Sequence, residues 1–376
     1  MKPDIHVDMA KSLERAGFDY ILIEDTSMVE DSYNNSAETS LRRGFMAPPK
    51  NDPLPLVPLM TQATKHIGIV PTVSTIQYPP FLAARAFTTL DHLTEGRVGM
   101  NVVTSVTDRV AQNFGYERHL EHDERYEMAM EWIDVVKALQ NSWEEGAVIA
   151  DPYAGVYADH TKVNPIEFVG KFFKCRGPLN TIPGPQREVP ICSAGSSEPG
   201  RVLAANYDDT QIAIVEDAAD AKAYREDIRA RAAAAGRNPP DHIKVLFIAT
   251  PTIAATDAEA QAAYEAAQAF RKTDKAIEYN LWNMSYTSGV ASTSVPSIPT
   301  PRSATSTFPS RTASTPRSPD CSVAARTRRF VRSSRAASRS RTWVSSVHRP
   351  PSPTRWARSW RRRVVTASCS TCPPRA

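Results

Sequence analysis

Residues 1–290 contain six short apolar runs, and segments with helical spacing follow or separate them. Each run is short enough to form a single strand, and the intervening segments are long enough to return across a sheet. This alternation predicts an α/β protein with a parallel sheet. The six runs are FDYILIED (18–25), HIGIVPTVST (66–75), RVGMNVVTS (97–105), VPICSAGSS (189–197), DTQIAIV (209–215) and HIKVLFIAT (242–250).

Two architectures fit this alternation: a doubly wound open sheet and a (β/α)8 barrel. Six strands are two short of a barrel, but the chain opens on the amphipathic helix pattern VDMAKSLERAG, where a barrel would begin with a strand. The pattern also stops where the last strand should come. We therefore predict an incomplete TIM barrel over residues 1–290 that lacks its first strand and its last unit. Residues 144–187, rich in Pro, Gly and aromatics, interrupt the alternation and are predicted to be an insertion loop.

Residues 291–376 have a different composition from the rest of the chain. They contain 17 Arg, one acidic residue and no Lys, Leu or Gly, so their formal charge is +16, whereas residues 1–290 carry −12. Such a segment cannot bury enough apolar surface to offset its conformational entropy, so we predict a disordered basic tail. A tail of this charge also binds polyanions non-specifically, which makes a nucleic-acid-binding protein one alternative function.

The tail's Arg, Ser, Pro, Thr and Ala are the residues that a GC-rich gene yields when it is read out of frame. Shifting the frame of ASTSVPSIP (291–299) permits Val-Asp-Phe-Ser-Pro-Ile-Asp, which alternates apolar and polar residues as folded chains do. We therefore predict that the tail is an out-of-frame translation, with a genuine disordered arm as the alternative. Its Cys369 and Cys372 form a lone CxxC without a second pair, which does not indicate a metal site.

The remaining composition predicts a cytoplasmic protein without a membrane partner. The N-terminus has no apolar core typical of a signal peptide, and no apolar run is long enough to span a bilayer. The five irregularly spaced cysteines do not form a disulfide framework. No GxGxxG, P-loop, HExxH or GxSxG motif occurs, and no metal site is predicted.

Polar residues gather at the carboxyl ends of the predicted strands, where barrels of this kind build their active sites. Asp25 could accept a hydrogen bond from a ligand or cap the next element. In SAGSSEPGR, Ser196 and Ser197 open a helix, which suits a phosphate but also an ordinary serine N-cap. Cys192 lies inside an apolar strand and is interpreted as a core residue. The other strand-end residues are Thr72, Ser74, Asn101 and Thr104.

His122 and Tyr126 lie four residues apart in HDERYEMAMEWIDVVKALQNSW and therefore share one helix face. The acidic first turn of this helix, Asp123 and Glu124, fits the positive end of its dipole. The helix start could lie at the mouth of the active site. The alternative is a capping histidine with a half-buried tyrosine.

Five longer stretches are more specific than these short motifs. They are PTVSTIQYPPFLAARAFTTLDHLTEGR, GRVGMNVVTS, NFGYERHLEHDERYEMAMEWIDVVKALQNSWEE, YADHTKVNPIEFVGKFFKCRGPLN and PQREVPICSAGSSEPGRVLAA. Together they resemble the nitrilotriacetate monooxygenase family, a branch of the bacterial-luciferase-like, flavin-dependent monooxygenases. The resemblance covers residues 6–290 and includes the insertion.

The resemblance implies a TIM barrel that uses reduced FMN and dioxygen to insert one oxygen atom into a small amine, sulfide or sulfone-like compound. The oxygenating species in that family is a flavin C4a-(hydro)peroxide. A separate NADH:FMN oxidoreductase supplies the reduced flavin, and a homodimer is compatible with the superfamily. By similarity, His122 and Tyr126 are catalytic and also bind the flavin. The remaining cofactor-binding residues implied are Asp25, Thr72, Ser196, Ser197, Asn101 and Thr104.

The chain departs from the family at both ends. The family has a strand upstream of the opening helix, and a Gly-Val/Ile-Asp-Phe/Leu-Ser pattern near residue 290. Here SGV (288–290) followed by the shifted Val-Asp-Phe-Ser matches that pattern, which favours the frameshift hypothesis. Two further functions stay open at this point: an inactive fragment of such an enzyme, and a deazaflavin-dependent oxidoreductase of the same fold. No specific nucleic-acid partner is predicted.

Overall fold

The computed structural model describes residues 2–43, 50–237, 242–271, 273–288 and 364–366. Eleven strands occur in these ranges. They are β1 (Tyr20–Ile23), β2 (Gly68–Ser74), β3 (Met100–Val103), β4 (Val148–Asp151), β5 (Val156–Ala158), β6 (Phe168–Val169), β7 (Lys174–Cys175), β8 (Ile191–Ala194), β9 (Thr210–Ala213), β10 (Lys244–Phe247) and β11 (Val364–Thr366).

Ten α-helices and one 3-10 turn (His160–Lys162) occur in the same ranges. The helices are α1 (Asp4–Arg15), α2 (Glu38–Arg43), α3 (Leu56–Gln62), α4 (Pro80–Leu93), α5 (Asp108–Gln112), α6 (His122–Gln140), α7 (Glu198–Tyr207), α8 (Ala218–Ala234), α9 (Asp257–Phe270) and α10 (Asp274–Ser288).

Seven strands form one parallel sheet in the order β10-β9-β8-β3-β2-β1-β11. The β2–β3 register places Thr72 opposite Asn101, and the β3–β8 register places Asn101 opposite Cys192. Side chains at the carboxyl ends of β2, β3 and β8 are therefore neighbours although they are far apart in sequence. Within the described residues, no pairing joins β10 to β11, so the sheet has two edges.

The six apolar runs of residues 1–290 each form a strand of this sheet, as predicted. The predicted basic tail lies outside the described residues except for β11, whose backbone pairs in parallel with β1. The prediction of a disordered tail did not include this strand. Helices α2, α3 and α5 were also not predicted, because they are too short to show a clear helical period.

The core lies between the sheet and its helices. Trp132 of α6 is fully buried, and its indole N–H donates to the carbonyl of Tyr78 at 2.7 Å, just before α4 begins. This bond satisfies the only polar atom of the Trp132 side chain, one of two fully buried tryptophans among the described residues. Cys192 is also buried, and burial raises the pKa of its thiol to about 12, so it is a core residue as predicted.

The predicted insertion loop contains two small antiparallel hairpins, β4–β5 and β6–β7. The second hairpin is attached to α6 through Glu131. The carboxylate of Glu131 accepts hydrogen bonds from the backbone amides of Lys171, Phe172 and Phe173 at 2.6–2.9 Å. The insertion therefore packs on the same helix that carries His122 and Tyr126.

Candidate functional site

A cavity of about 270 Å³ opens at the carboxyl ends of β1, β2, β3 and β8. Its size is near the lower end of the range typical of ligand pockets. Helix α6 contributes Tyr126 to its wall, and α10 contributes Tyr286. The other lining residues are 24–27, Thr72, Ser74, Gln77, 102–107, Val110, Ser193, Ala194 and Leu203.

The ends of β1, β2 and β3 are joined by a short chain of side-chain hydrogen bonds. The hydroxyl of Thr72 donates to the carbonyl of Ile23 at 2.7 Å, and the amide nitrogen of Asn101 donates to the Thr72 oxygen at 2.7 Å. Asn101 is buried, and its amide oxygen has no hydrogen-bond partner among the described residues. A buried acceptor without a donor is costly, and the described residues leave this oxygen unsatisfied next to the cavity.

Ser105 lies at the cavity in a backbone conformation that is unusual for a residue with a side chain. Its φ of 57° falls in the left-handed region. Its hydroxyl is 2.7 Å from that of Ser74, and its carbonyl accepts from the guanidinium of Arg125 at 3.0 Å. Arg125 also donates to the carbonyl of Val106 at 2.9 Å. The strained turn after β3 is therefore held from both sides, as is typical of functional sites.

Asp25 lines the cavity directly after β1. Burial raises the pKa of its carboxyl, while the nearby Lys50 opposes that rise. Lys50 itself forms a 2.5 Å ion pair with Glu24. Asp25 therefore places a partly buried carboxyl at the cavity wall.

His122 and Tyr126 form an edge-to-face pair on the first turns of α6, with ring centroids 5.2 Å apart. Only Tyr126 lines the cavity; the imidazole of His122 is half exposed and lies 2.7 Å from the carboxylate of Asp123. The structure thus places Tyr126 at the cavity and His122 behind it.

The loop between β8 and α7 approaches Tyr126 closely at Gly195. A side-chain carbon added to Gly195 would lie 2.8 Å from the Tyr126 hydroxyl, so a larger residue at this position would require Tyr126 to shift. Ser197 is the N-cap of α7, and its hydroxyl accepts from the amide of Gly200 at 3.3 Å. The backbone amides of Ser196 and Ser197 donate to no acceptor among the described residues. They are available to an anion at this helix start.

The predicted site residues lie at one end of the sheet, but only some of them line the cavity. Asp25, Thr72, Thr104 and Tyr126 line the cavity, and Asn101 binds Thr72 from the neighbouring strand. His122, Ser196 and Ser197 do not line it; His122 contacts Tyr126, and the two serines follow Gly195. Their roles in binding or catalysis stay predictions.

Several residues at the site were not singled out from the sequence. Ser105 and Ser193 line the cavity, and Ser193 belonged to an apolar run in which only its alternation could have marked it. Tyr286 reaches the cavity from α10, far along the chain. His119 holds the carbonyl of Thr104 at 2.9 Å, and burial lowers its pKa. No local sequence signal marks Tyr286 or His119.

Among the described residues, no group of three or more His, Cys, Asp or Glu side chains is arranged to hold a metal ion. In the same ranges, no helix has the length and apolar character needed to cross a bilayer.

Curated relatives align with the larger part of the chain. It is 39% identical over 253 residues to dibenzothiophene-sulfone monooxygenase of Rhodococcus erythropolis, covering 67% of this chain and 56% of that protein. It is 37% identical over 262 residues to nitrilotriacetate monooxygenase component A of Aminobacter aminovorans, covering 69% of this chain and 58% of that protein. The chain thus spans less than two thirds of the length of these relatives.

Solved structures give the same result for the fold. The crystal structure of long-chain alkane monooxygenase superposes with a TM-score of 0.71 at 37% identity, over 77% of this chain and 65% of that one. Riboflavin lyase, solved with modified FMN and riboflavin, superposes with a TM-score of 0.66 at 32% identity, over 70% of this chain and 59% of that one. These likenesses confirm the predicted fold class.

A model of the luciferase-like monooxygenases matches residues 1–294. Both the sequence motifs and the superpositions agree with this match. The chain therefore belongs to the luciferase-like monooxygenase family, as the resemblance predicted.

Proposed function

We propose that this protein binds reduced FMN and acts as the oxygenating part of a two-component monooxygenase. Its substrate in this proposal is a small organic compound of the amine, sulfide or sulfone type. The observation that carries the proposal is the meeting of three features at one end of the sheet. These are a cavity lined by both polar and apolar side chains, the unpaired amide oxygen of Asn101, and the free amides of Ser196 and Ser197.

The residues present fit the parts of FMN. An isoalloxazine ring needs apolar contact with a few hydrogen bonds at its polar edge, and the cavity wall combines Val102, Val103 and Leu203 with Thr72 and Ser74. A phosphate needs amide or hydroxyl donors, and the start of α7 offers them. Gly195 keeps the space between this loop and Tyr126 free of a side chain.

Reduced flavin, when bound, supplies the reaction with dioxygen, and the protein's own residues supply binding, orientation and exclusion of water. In this proposal Thr72 and Asn101 orient the ring edge, and Ser196 and Ser197 bind the phosphate. The Tyr126 hydroxyl, at the cavity wall, would hold or donate a proton next to a bound flavin. His122 packs against the Tyr126 ring and fixes its rotamer.

The supply of reduced flavin is assigned to a separate NADH:FMN oxidoreductase. The support for this partner is the name of the relative from Aminobacter aminovorans, which is one component of its system. This chain covers only 56–58% of the length of these relatives. That it catalyses the whole reaction is therefore also part of the proposal.

An anaerobic titration of the purified full chain with reduced FMN tests this function. We expect saturable quenching of tryptophan fluorescence with one FMN per chain, and no saturation with reduced deazaflavin. Oxygen uptake with an added flavin reductase, NADH and dibenzothiophene sulfone or dimethyl sulfide then tests turnover, with catalase present to reveal uncoupled peroxide. Binding of deazaflavin in preference to FMN would contradict the proposal and favour a reductive enzyme of the same fold.

A further inference from the structure

Behind the Gly195 loop lies a buried polar side chain that the proposed function does not use. Gln211 of β9 is fully buried, and its amide nitrogen donates to the carbonyl of Gly195 at 2.9 Å. The hydroxyl of Tyr224, on α8, donates to the same carbonyl at 3.1 Å. Two donors from two different elements therefore hold a single loop carbonyl.

The next carbonyl of the loop is also held. The guanidinium of Arg201 donates to the carbonyl of Ser196 at 3.0 Å. Arg201 is fixed in turn by a 2.6 Å ion pair with Asp227 and by packing over the ring of Tyr224, 4.5 Å from its centroid.

Holding these two carbonyls fixes the direction of two amides. A trans peptide unit is planar, and its C=O and N–H point in opposite directions. The carbonyl of Gly195 shares a peptide unit with the amide of Ser196, and the carbonyl of Ser196 shares one with the amide of Ser197. The Gly195 carbonyl is held by donors from β9 and α8, and the Ser196 carbonyl is held by Arg201 of α7. Each amide therefore points away from the donor that holds its carbonyl, and neither has an acceptor among the described residues.

Ser193 sets the orientation of the Gln211 side-chain amide. The hydroxyl of Ser193 lies 3.0 Å from the amide oxygen of Gln211 and 2.6 Å from the carboxyl of Asp208. Ser193 has one proton, so it can donate to only one of them. Burial raises the pKa of Asp208 to about 8, which favours its protonated form at neutral pH, and in that form the carboxyl donates to the Ser193 oxygen. Ser193 then donates to Gln211, which leaves the Gln211 N–H groups facing Gly195 and Tyr224.

We propose that Gln211 is a positioning residue that gives this site its preference for a phosphorylated flavin over an unphosphorylated one. It acts through the backbone, by directing the amide of Ser196 at a phosphate monoester, next to the Ser197 amide that Arg201 directs. The inference rests on the proposed binding of FMN and adds to it the residue that decides between FMN and riboflavin.

The test compares the dissociation constants of FMN and riboflavin for the full chain and for Gln211→Met. Methionine keeps the length and flexibility of glutamine but has no N–H donor. We expect the variant to bind FMN about tenfold more weakly, as the loss of one positioned hydrogen bond implies, and to bind riboflavin as the original chain does. The ratio of the two constants is the readout, because a purely structural defect would weaken both ligands alike.

Thr210→Val is the matched control. Thr210 is the buried neighbour of Gln211 on β9, and its hydroxyl pairs with Tyr20 and not with the loop. It should leave the ratio unchanged. Equal loss of both ligands in Gln211→Met, or no loss of either, would overturn the inference. An original chain that binds neither flavin would instead overturn the proposed function.

Discussion

The strand ends on the two sides of the cavity are built differently. At β1–β3, side chains such as Thr72 and Asn101 hydrogen-bond to each other at or next to the cavity wall. At β8–β9, buried side chains such as Gln211 hold the backbone of a loop, and the backbone amides are what remains free. The β1–β3 side therefore offers side-chain groups to a ligand. The β8–β9 side offers backbone amides, which buried side chains hold in place.

This difference has an energetic counterpart in the buried carboxyls. Asp208, behind the β8–β9 loop, is fully buried, and its second oxygen has no partner among the described residues. Asp25, at the β1 end, is only partly buried and has Lys50 nearby. The hydrogen bonds that hold the Gly195 loop thus include the carboxyl of Asp208, for which burial favours the neutral form.

The largest expected effect is on the pH dependence of stability, measured with Asp208→Asn. Burial raises the pKa of Asp208 to about 8 in the folded chain, whereas an unfolded Asp titrates near 4. The folded state therefore binds more protons between these values, and stability falls as pH rises through this window. Between pH 5 and 8 the original chain should lose on the order of 4 kcal/mol relative to the variant, by urea unfolding.

Asp227→Asn is the control for that measurement. Burial would raise the pKa of Asp227, but hydrogen bonds from Arg201 and Arg231 outweigh it, so its pKa is lowered. Its contribution to stability is present above the unfolded pKa and is lost only in acid, so its curve should run parallel to that of the original chain from pH 5 to 8. Parallel curves for Asp208→Asn as well would show that the buried carboxyl is not neutral.

The next effect in size concerns the contact between the two sides. Gly195→Ala would place a carbon 2.8 Å from the Tyr126 hydroxyl, and relieving that overlap costs about 1–3 kcal/mol, which should weaken FMN binding about tenfold or more. In a Tyr126→Phe background the nearest ring carbon is 3.8 Å away, so the same substitution should cost little. A double-mutant cycle of FMN affinities measures this coupling. Additive effects would mean that the loop and Tyr126 do not meet as described.

Asn101→Leu tests the side-chain half of the site. The substitution removes the donor to Thr72 and the buried, unpaired amide oxygen. Loss of one hydrogen bond to a ligand should weaken both FMN and riboflavin by about 1 kcal/mol, since the proposed function assigns this residue to the ring and not to the phosphate. Unfolding by urea serves as the control, because the lost hydrogen bond to Thr72 is offset by removal of an unpaired buried oxygen, so stability should be nearly unchanged. A change in the FMN to riboflavin ratio would contradict the division between the two sides.

The smallest effect is expected for His122→Ala. His122 is half exposed and touches the site only through the ring of Tyr126. Because His122 is half exposed, losing its contact with the Tyr126 ring should cost only about 0.5 kcal/mol. We expect the loss to appear as poorer coupling of oxygen uptake to product, with FMN affinity nearly unchanged. Unchanged coupling would remove His122 from the catalytic residues.

The sequence predicted the six strands and the strand-end residues because both depend on local patterns. Apolar runs mark buried parallel strands, and the residues after them share one edge by topology alone. Thus Asp25, Thr72 and Asn101 could be placed together before any coordinates were known. Membership of the family came from longer motifs, which local patterns do not supply.

The rest could not be predicted, since it depends on contacts between distant residues. Gln211 lies in an apolar run and looks like an ordinary strand residue until β9 is placed beside β8. Ser105 adopts its left-handed backbone because Arg125 and Ser74 hold it, which no turn motif indicates. Tyr286 reaches the cavity only through the packing of α10. The neutral state of Asp208 follows from burial, which sequence alone does not give.

The central claim is that strand ends from both sides, together with Tyr126, bind one FMN. A crystal structure of the full chain with bound FMN tests it most directly. The claim predicts phosphate oxygens within hydrogen-bond distance of the amides of Ser196 and Ser197, and the ring in the cavity beside Thr72 and Tyr126. An ordered flavin elsewhere on the chain, or a phosphate held away from residues 195–197, would contradict it.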